Sequence, residues 1–372
     1  MFWAILALVA CAVLVARFGV VTSGGRSFVE GLLDGARLGP FGRVHVEGLE
    51  GDIWGDFTLR RLTINDAHGT WLDARQVRLR WNWLALLQRR LDIDACDARL
   101  VTVIRRPWVE PTVPTSGHSP ISLHIDKLAV QLELLPAFSS RYGLYNVAGG
   151  FDLRREGGMA GRAQVASLTH AGDRLDADFD LGRDKTIRLA LQVQEADGGA
   201  LAGALGLAAN QPFLVSASAS GTTSQGRFHV ESRSGPVVPI AGDGAWTPQG
   251  GQGRGAITLA ASKYLAWYQR MLGPQVRFDI SGARVADGLE GVVFSATSDN
   301  VDVSARGEAD LGRQTTGPAG MQVQIVARQG ERLLGFPQMG AARMSGILSG
   351  RADRWSLAGP LEADGQIGRA HV

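Results

Sequence analysis

Residues 57–81 read FTLRRLTINDAHGTWLDARQVRLRW, and within them Val77-Arg78-Leu79-Arg80-Trp81 alternates apolar and cationic side chains. Strict alternation predicts a strand with one dry face and one wet face. The same grammar starts near residue 43 with RVHVE and recurs in FDLRRE, LDADFDLG, IRLALQVQ, GRFHVES, VRFDISGARV and MQVQIVARQ. It predicts about twenty short strands with turns every 8–16 residues, a mainly β chain and no alternating α/β fold. No fixed-length repeat is visible in the letters, which argues against a regular propeller.

Phe57 and Leu59, then Leu62 and Ile64, change parity across Arg60-Arg61, which predicts a bulge there. Asn65 to Gly69 reads as a hairpin loop. Two segments break the alternation. NWLALLQRR (82–90) predicts one or two helical turns capped by Asn82, and SKYLAWYQRML (262–272) predicts a helix with Ser262 as N-cap. A further amphipathic helix is expected over 24–36. Residues 107–120, PWVEPTVPTSGHSP, form a proline-rich loop. Glycine, at 49 residues, is expected at turns and bulges between strands.

Residues 2–16 read FWAILALVACAVLVA, and apolar character continues past Arg17 to Val21. A helix of this length spans about 30 Å, the thickness of a bilayer core. Phe2, Trp3, Leu6, Leu8, Val13, Leu14 and Val15 are its candidate anchor residues. A polar stripe, which a soluble surface helix would carry, is missing. Neither a basic n-region nor a good cleavage site marks a cleaved signal, and the apolar run passes Cys11, unlike a lipoprotein signal. Arg17, Arg26, Arg37 and Arg43 all follow the segment, which charge counting alone would keep cytoplasmic; long domains translocate regardless.

Composition narrows the function. Of 372 residues 45% are apolar and 20% charged, with a net charge of +2, so neither disorder nor a nucleic-acid footprint is expected. Seven histidines are scattered without ligand spacing, and carboxylates alternate with apolar residues as on a solvated strand face. GGQGRG (250–255) lacks a phosphate-cradle spacing and reads as a glycine turn. No nucleophile elbow is present. The expectation is a non-enzyme without catalytic residues, metal or cofactor. Trp54, Trp71, Trp81 and Trp83 suit packing or an aromatic belt at a membrane.

The order of pieces from Gly48 to Pro107 is more specific than any one of them. It runs through a glycine-bounded turn (Gly51 to Gly55), an N-D-A-x-G hairpin (Asn65 to Gly69), a V-x-L-x-W strand (Val77 to Trp81) and an R-R-P exit (Arg105 to Pro107). With the apolar segment before it, this resembles the N-terminal part of the TamB family of translocation and assembly module proteins, similar to the AsmA-like bridge-type lipid transfer proteins. The likeness covers residues 1–110 well and the remainder only in style. It implies a single-pass inner-membrane anchor with the bulk of the chain in the periplasm. It also implies an elongated, curled, antiparallel-type sheet forming an open apolar groove, with a few short helices. Phospholipid would pass along that groove between the membranes. Outer-membrane protein assembly would be supported through a barrel partner of the TamA type. The alternative is a β-strand scaffold for outer-membrane protein or autotransporter assembly without lipid conduction.

The expected organisation is an anchor over 1–22, an N-terminal β-groove module over 23–106, the loop over 107–120, and a continuing sheet over 121–372 that stops in mid-pattern as a truncated product would. The candidate groove residues are Phe57, Leu59, Leu62, Ile64, Val77, Leu79, Trp81, Leu91, Ile93, Leu123, Ile125, Leu128, Val130, Leu132, Val323 and Ile325. Each exposed methylene costs about 0.8 kcal/mol, so two acyl chains in water cost on the order of 20 kcal/mol. An apolar strand face removes most of that barrier without any specific site.

Overall fold

The computed structural model describes residues 34–35, 37, 41–109, 122–154, 157–182, 185–208, 210–286, 288–310, 313–336, 338–351 and 353–364. The expected anchor (2–21), most of the 24–36 helix and most of the proline-rich loop lie outside the described residues. The chain is mainly β with a few short helices. It divides into two compact units, Met1–Arg183 with Gln194–Ala204, and Asp184–Val193 with Leu205–Val372.

The first unit holds β1 (Arg43–Asp52), β2 (Asp56–Asp66), β3 (Gly69–Asn82) and β4 (Arg90–Val103). It continues with β5 (Ser122–Leu134), β6 (Gly143–Leu153), β7 (Met159–Ser167) and β8 (Arg174–Leu181). Neighbours in sequence pair antiparallel, with one exception: β4 and β5 are parallel, Ile93 standing beside Ile125 and Val103 beside Leu134. The sheet expected to be of antiparallel type is thus mixed at this pair. The long connection from Val103 to Ser122 returns the chain to the end where β4 began, and a parallel pair requires such a crossover.

β9 (Thr186–Glu195) spans the boundary, and the second unit continues with β10 (Phe213–Thr222), β11 (Gly226–Ser234), β12 (Ile240–Thr247) and β13 (Gly250–Thr258). Next come β14 (Gln275–Ala286), β15 (Leu289–Ser298), β16 (Val301–Asp310) and β17 (Thr315–Ala327). β18 (Ala342–Arg351) is followed by β19 (Arg354–Ala358) and β20 (Leu361–Ala363), and β19 and β20 each pair with one half of β18.

Among the described residues four short α-helices punctuate the strands: α1 (Pro136–Ser139) after β5, α2 (Ala200–Ala204) after β9, α3 (Ala266–Leu272) after β13 and α4 (Gly330–Leu334) after β17. They begin at residues 136, 200, 266 and 330, which reveals a repeat of one helix and four strands spaced by 64, 66 and 64 residues. Helices of four to seven residues are too short to show a helical period, so the repeat is silent in the letters. The helix expected over 262–272 is likewise shorter. Lys263–Leu265 is a 3-10 turn, and Ser262 caps that turn by accepting from the Tyr264 amide at 3.3 Å before α3 begins.

Within the first unit α1 packs against α2, and the joint is polar and buried. Glu195 is fully buried, as is Ser139. Its Oε1 accepts from Leu201 N at 3.0 Å and the Tyr145 hydroxyl at 3.2 Å, and its Oε2 accepts from Ala202 N at 2.8 Å. Burial beside this carboxylate pushes the Tyr145 phenol well above its ordinary range. In the second unit Asn300 plays the matching part between α3 and the start of α4. It donates to Met271 O at 2.8 Å and accepts from Gln329 N at 2.8 Å.

The bulge expected at Arg60-Arg61 is absent. Glu47 faces Arg61 and Leu49 faces Leu59 in unbroken register. Parity changes instead through left-handed residues on both flanking strands, Gly48 at φ 68 and Gln76 at φ 51. Both arginines are thereby exposed while Leu59 and Ile64 stay buried. The register shift of β2 lies further on and against β3, between Ile64 and Asn65.

The apolar face as candidate functional site

Residues directly opposite across paired strands share one face of a sheet. In the first unit this places every candidate groove residue on the same face. Phe57 stands opposite Leu79, Leu79 opposite Cys96, and Cys96 beside Leu128. Leu59 continues through Val77 and Ala98 to Val130, and Leu62 through Ala74 and Val101 to Leu132. Ile64 opposes Leu72, Trp81 opposes Ile93 and then Ile125, and Leu91 lies beside Leu123. Sequence reasoning left out where these rows lead. The Leu59 row extends through Val147, Val165 and Leu175, and the Ile125 row through Phe151, Gly161 and Phe179. The alternating runs that contain them were legible; their register was not.

The rows differ in exposure. Val46, Leu49, Leu59, Ala74, Val77 and Ala98 form a closed cluster, with Leu59 at 3% and Val77 at 7% exposure. Ile53, from the turn between β1 and β2, packs on this cluster as well. The dry face of VRLRW therefore covers a core at Val77, while Leu79 and Trp81 are half-buried. Farther along, Leu91, Ile93, Leu123, Ile125, Leu128, Val130 and Leu132 are half-buried, and Met159 and Leu181, which stand opposite each other, are 38% exposed.

In the second unit Val303 faces Ile325, which faces Met344, and Val323 lies between Ala305 and Gly346. Here too the apolar rows are long. Phe228, Gly244, Gly253, Ile280 and Phe294 follow one another across five strands. At its far end Met321, Val323, Leu348, Leu357 and Trp355 line a concavity of about 520 Å³.

Many glycines have a different use from the one expected. GGQGRG is not a turn: Gly251, Gly253 and Gly255 stand on the apolar face of β13, with Gln252 and Arg254 on the other. A Cβ on Gly244 would lie 2.4 Å from the Phe228 ring, and one on Gly255 2.6 Å from the Phe278 ring. Aromatic rings occupy the space that a side chain at a glycine of a neighbouring strand would take, as Phe179 does at Gly161. Rings seated beside glycines keep the face apolar.

The opposite face is polar and paired. Arg78 donates to Asp56 at 2.9 and 2.5 Å, and Arg61 to Asp73 at 3.1 Å through two nitrogens. The Arg78 hydrogen bonds hold the Asp56 carboxyl below its ordinary range.

The motifs behind the family resemblance act as fold clamps. Arg105 of R-R-P grips Asp66 of the N-D-A-x-G hairpin through Nη2 to Oδ1 at 2.5 Å and Nη1 to Oδ2 at 2.9 Å. The amides of His68 and Trp108 also donate to Asp66, at 2.7 and 2.6 Å. Arg106 donates to the carbonyls of Phe138 and Ala204. Trp81 closes V-x-L-x-W onto the glycine-bounded turn, its Nε1 donating to Ile53 O at 2.7 Å, and Trp54 meets Trp83 edge-on at 5.2 Å. These tryptophans pack locally.

The Arg105 hydrogen bonds, against burial and with help from the two amides, hold the Asp66 carboxyl well below the usual range. A depressed carboxyl stabilises the fold fully above its unfolded value, about 4, and this contribution fades as pH falls toward the folded value. The Asp66 side chain, 2% exposed, contributes charged hydrogen bonds worth about 1.5–3 kcal/mol each before desolvation is subtracted. Asp66→Asn is expected to destabilise the first unit by about 2–3 kcal/mol at pH 7. Denaturant titrations from pH 7 to 3 check this: the gap between wild type and variant narrows below pH 4.

Among the described residues no group of three His, Cys, Asp or Glu side chains is placed to hold a metal. Among them also, no helix is long and apolar enough to cross a membrane, and the candidate anchor residues Phe2, Trp3, Leu6, Leu8, Val13, Leu14 and Val15 lie outside them. No protein-family model, no curated protein and no solved structure matches the chain.

Proposed function

We propose that this protein is anchored in the bacterial inner membrane, with its β-structure in the periplasm, and that its apolar sheet face is a groove carrying phospholipid toward the outer membrane. The observation that carries the reading is the partial exposure of long apolar rows. In the first unit Met159 stands opposite Leu181, in the second Phe228 and Ile280 belong to one row, and these four are 38–45% exposed. Leaving such rows in water is costly, at about 25 cal/mol per Å². Acyl chains would cover them, and the paired charges of the other face would keep the sheet in solution. The groove has no need of a cofactor, a metal or a catalytic group. Support of outer-membrane protein assembly, with a TamA-type barrel as partner, follows from the resemblance. Its non-conducting alternative is a strand scaffold working by edge pairing.

Mass spectrometry of lipid extracted from the purified full chain tests the groove. The expected result is phospholipid that cross-links to photoreactive residues at Leu128 and Ile280 and not at Gln252 or Gln322 on the polar face. Lipid that cross-links equally from both faces, or none at all, would overturn the conduit and favour the scaffold.

A further inference from the structure

The segment NWLALLQRR has no part in the apolar rows, yet it is firmly built. Trp83–Gln88 is a 3-10 helix in the first unit, joining β3 to β4. Asn82 caps it, its Oδ1 accepting from Leu84 N at 3.1 Å. Arg89 closes it in a left-handed conformation at φ 56, its amide donating to Leu86 O at 2.8 Å and its carbonyl accepting from Ser122 N at 3.0 Å. Ala85 is buried beneath the turn, and Trp83 leans on Trp54. With both ends pinned, the turn nevertheless presents Leu84, Leu86 and Leu87 at 52%, 42% and 80% exposure.

Three large aliphatic side chains held outward on a fixed turn form an interaction surface, because nothing in the local packing requires them there. Charge decides the kind of partner. Residues 82–91 carry Arg89 and Arg90 and no acidic group; the nearest acid along the chain, Asp92, is paired with Arg90 at 3.3 Å. An apolar tip with arginines immediately behind it matches a bilayer surface in which acyl chains lie beneath anionic headgroups. A soluble protein partner would more often place acidic or hydrogen-bonding groups against a rim of mixed polarity, and this tip offers methyls, the Arg89 cation and the Arg90–Asp92 pair.

We propose that Leu84, Leu86 and Leu87 insert into the surface of an anionic phospholipid bilayer, with Arg89 and Arg90 at the headgroup level. The turn would then be a second membrane contact of the first unit. It sits at the end of the sheet where β3 ends and β4 and β5 begin, beside Leu91 and Leu123 of the apolar face. Lipid entering that face would travel a short way from the bilayer. This last consequence rests on the groove reading; insertion of the tip does not.

The test uses the full chain in vesicles of phosphatidylethanolamine and phosphatidylglycerol. Cys11 and Cys96 are replaced by alanine, and a spin label is placed by Leu87→Cys. A control label is placed by Gln225→Cys, on the hairpin between β10 and β11. Collision with oxygen, which concentrates in lipid, is compared with collision with a water-soluble nickel chelate. The expected result is oxygen dominating at position 87 and nickel dominating at position 225. Arg89→Glu with Arg90→Glu is expected to restore nickel access at position 87. Nickel dominance at position 87 in the parent protein would overturn the proposal. So would shielding from both reagents with spin–spin coupling between copies, since a second copy would then be the occupant. Photo-cross-linking from Leu128 in the same vesicles reports the groove separately: lipid adducts at Leu128 with an aqueous position 87 refute only the tip, and the reverse refutes only the groove.

Discussion

Glu195→Leu is expected to destabilise the first unit by about 3–5 kcal/mol and to expose the amides of α2 to exchange. The carboxylate is fully buried and accepts from Leu201 N, Ala202 N and the Tyr145 hydroxyl. Leucine fills the space and accepts nothing. Two orphaned buried amides at about 1–3 kcal/mol each account for most of the loss. The geometry leaves no room for rearrangement: a Cβ on Gly203 would fall 1.9 Å from Ser139 O, so α1 and α2 are already at backbone contact. Glu195→Gln keeps one acceptor oxygen and is expected to lose about half as much. Hydrogen exchange read at residues 200–204, together with urea unfolding, checks both. The corresponding change in the second unit, Asn300→Leu, strips partners from Met271 O and Gln329 N and should accelerate exchange in α3 and α4 while leaving α2 protected. Unchanged exchange in α2 on Glu195→Leu would show that packing alone holds the helix pair.

The alternating face was readable because a strand's side-chain period is local. Val77, Leu79 and Trp81 needed only their immediate neighbours to be placed together, and the fold places them so. What the letters hid is set by distant partners. Parity changes at Arg60-Arg61 because Gly48 and Gln76, on two other strands, take left-handed conformations, and glutamine gives no warning of that. The parallel pair β4–β5 depends on where a long connection returns, which no residue pattern within either strand encodes. Nothing in QEADGG marks its glutamate as different from a solvated carboxylate, yet Glu195 is the buried anchor of α2.

The candidate site was legible as a set of residues and illegible as a surface. Alternation identifies apolar positions but does not say which are covered. Leu59 and Val77 lie in a closed cluster, whereas Met159, Leu181 and Ile280, which alternation treats identically, stand partly in water. The glycines misled for a related reason. Gly253 and Gly255 look like breakers in one dimension, and only the register shows that they lie beneath or beside the rings of Phe228 and Phe278.

That difference in exposure decides which substitutions interrogate the groove. Glutamate at Leu79 or Val130, which pack on the closed cluster, confounds transport with folding. Glutamate at Met159, Leu181 and Ile280 does not, because residues 38%, 38% and 45% exposed can turn a carboxylate toward water in the unloaded protein. The expected stability loss is under about 1 kcal/mol per site. Loaded with lipid, the same carboxylates must either dehydrate against acyl chains or hold water where the chains would pass. A barrier raised by about 3 kcal/mol slows passage roughly 100-fold. Transfer of fluorescent phospholipid between donor and acceptor vesicles by the triple variant is therefore expected to fall by about two orders of magnitude, with a summed stability loss of no more than about 3 kcal/mol, part of it from the facing carboxylates at 159 and 181. Gln252→Glu with Gln322→Glu adds the same kind of charge to the polar face, where Arg306 stands opposite Gln322, and is expected to transfer at the wild-type rate. Equal transfer by both variants would mean that lipid does not touch the apolar face, and the long half-exposed rows would then have to be explained by strands of a client protein.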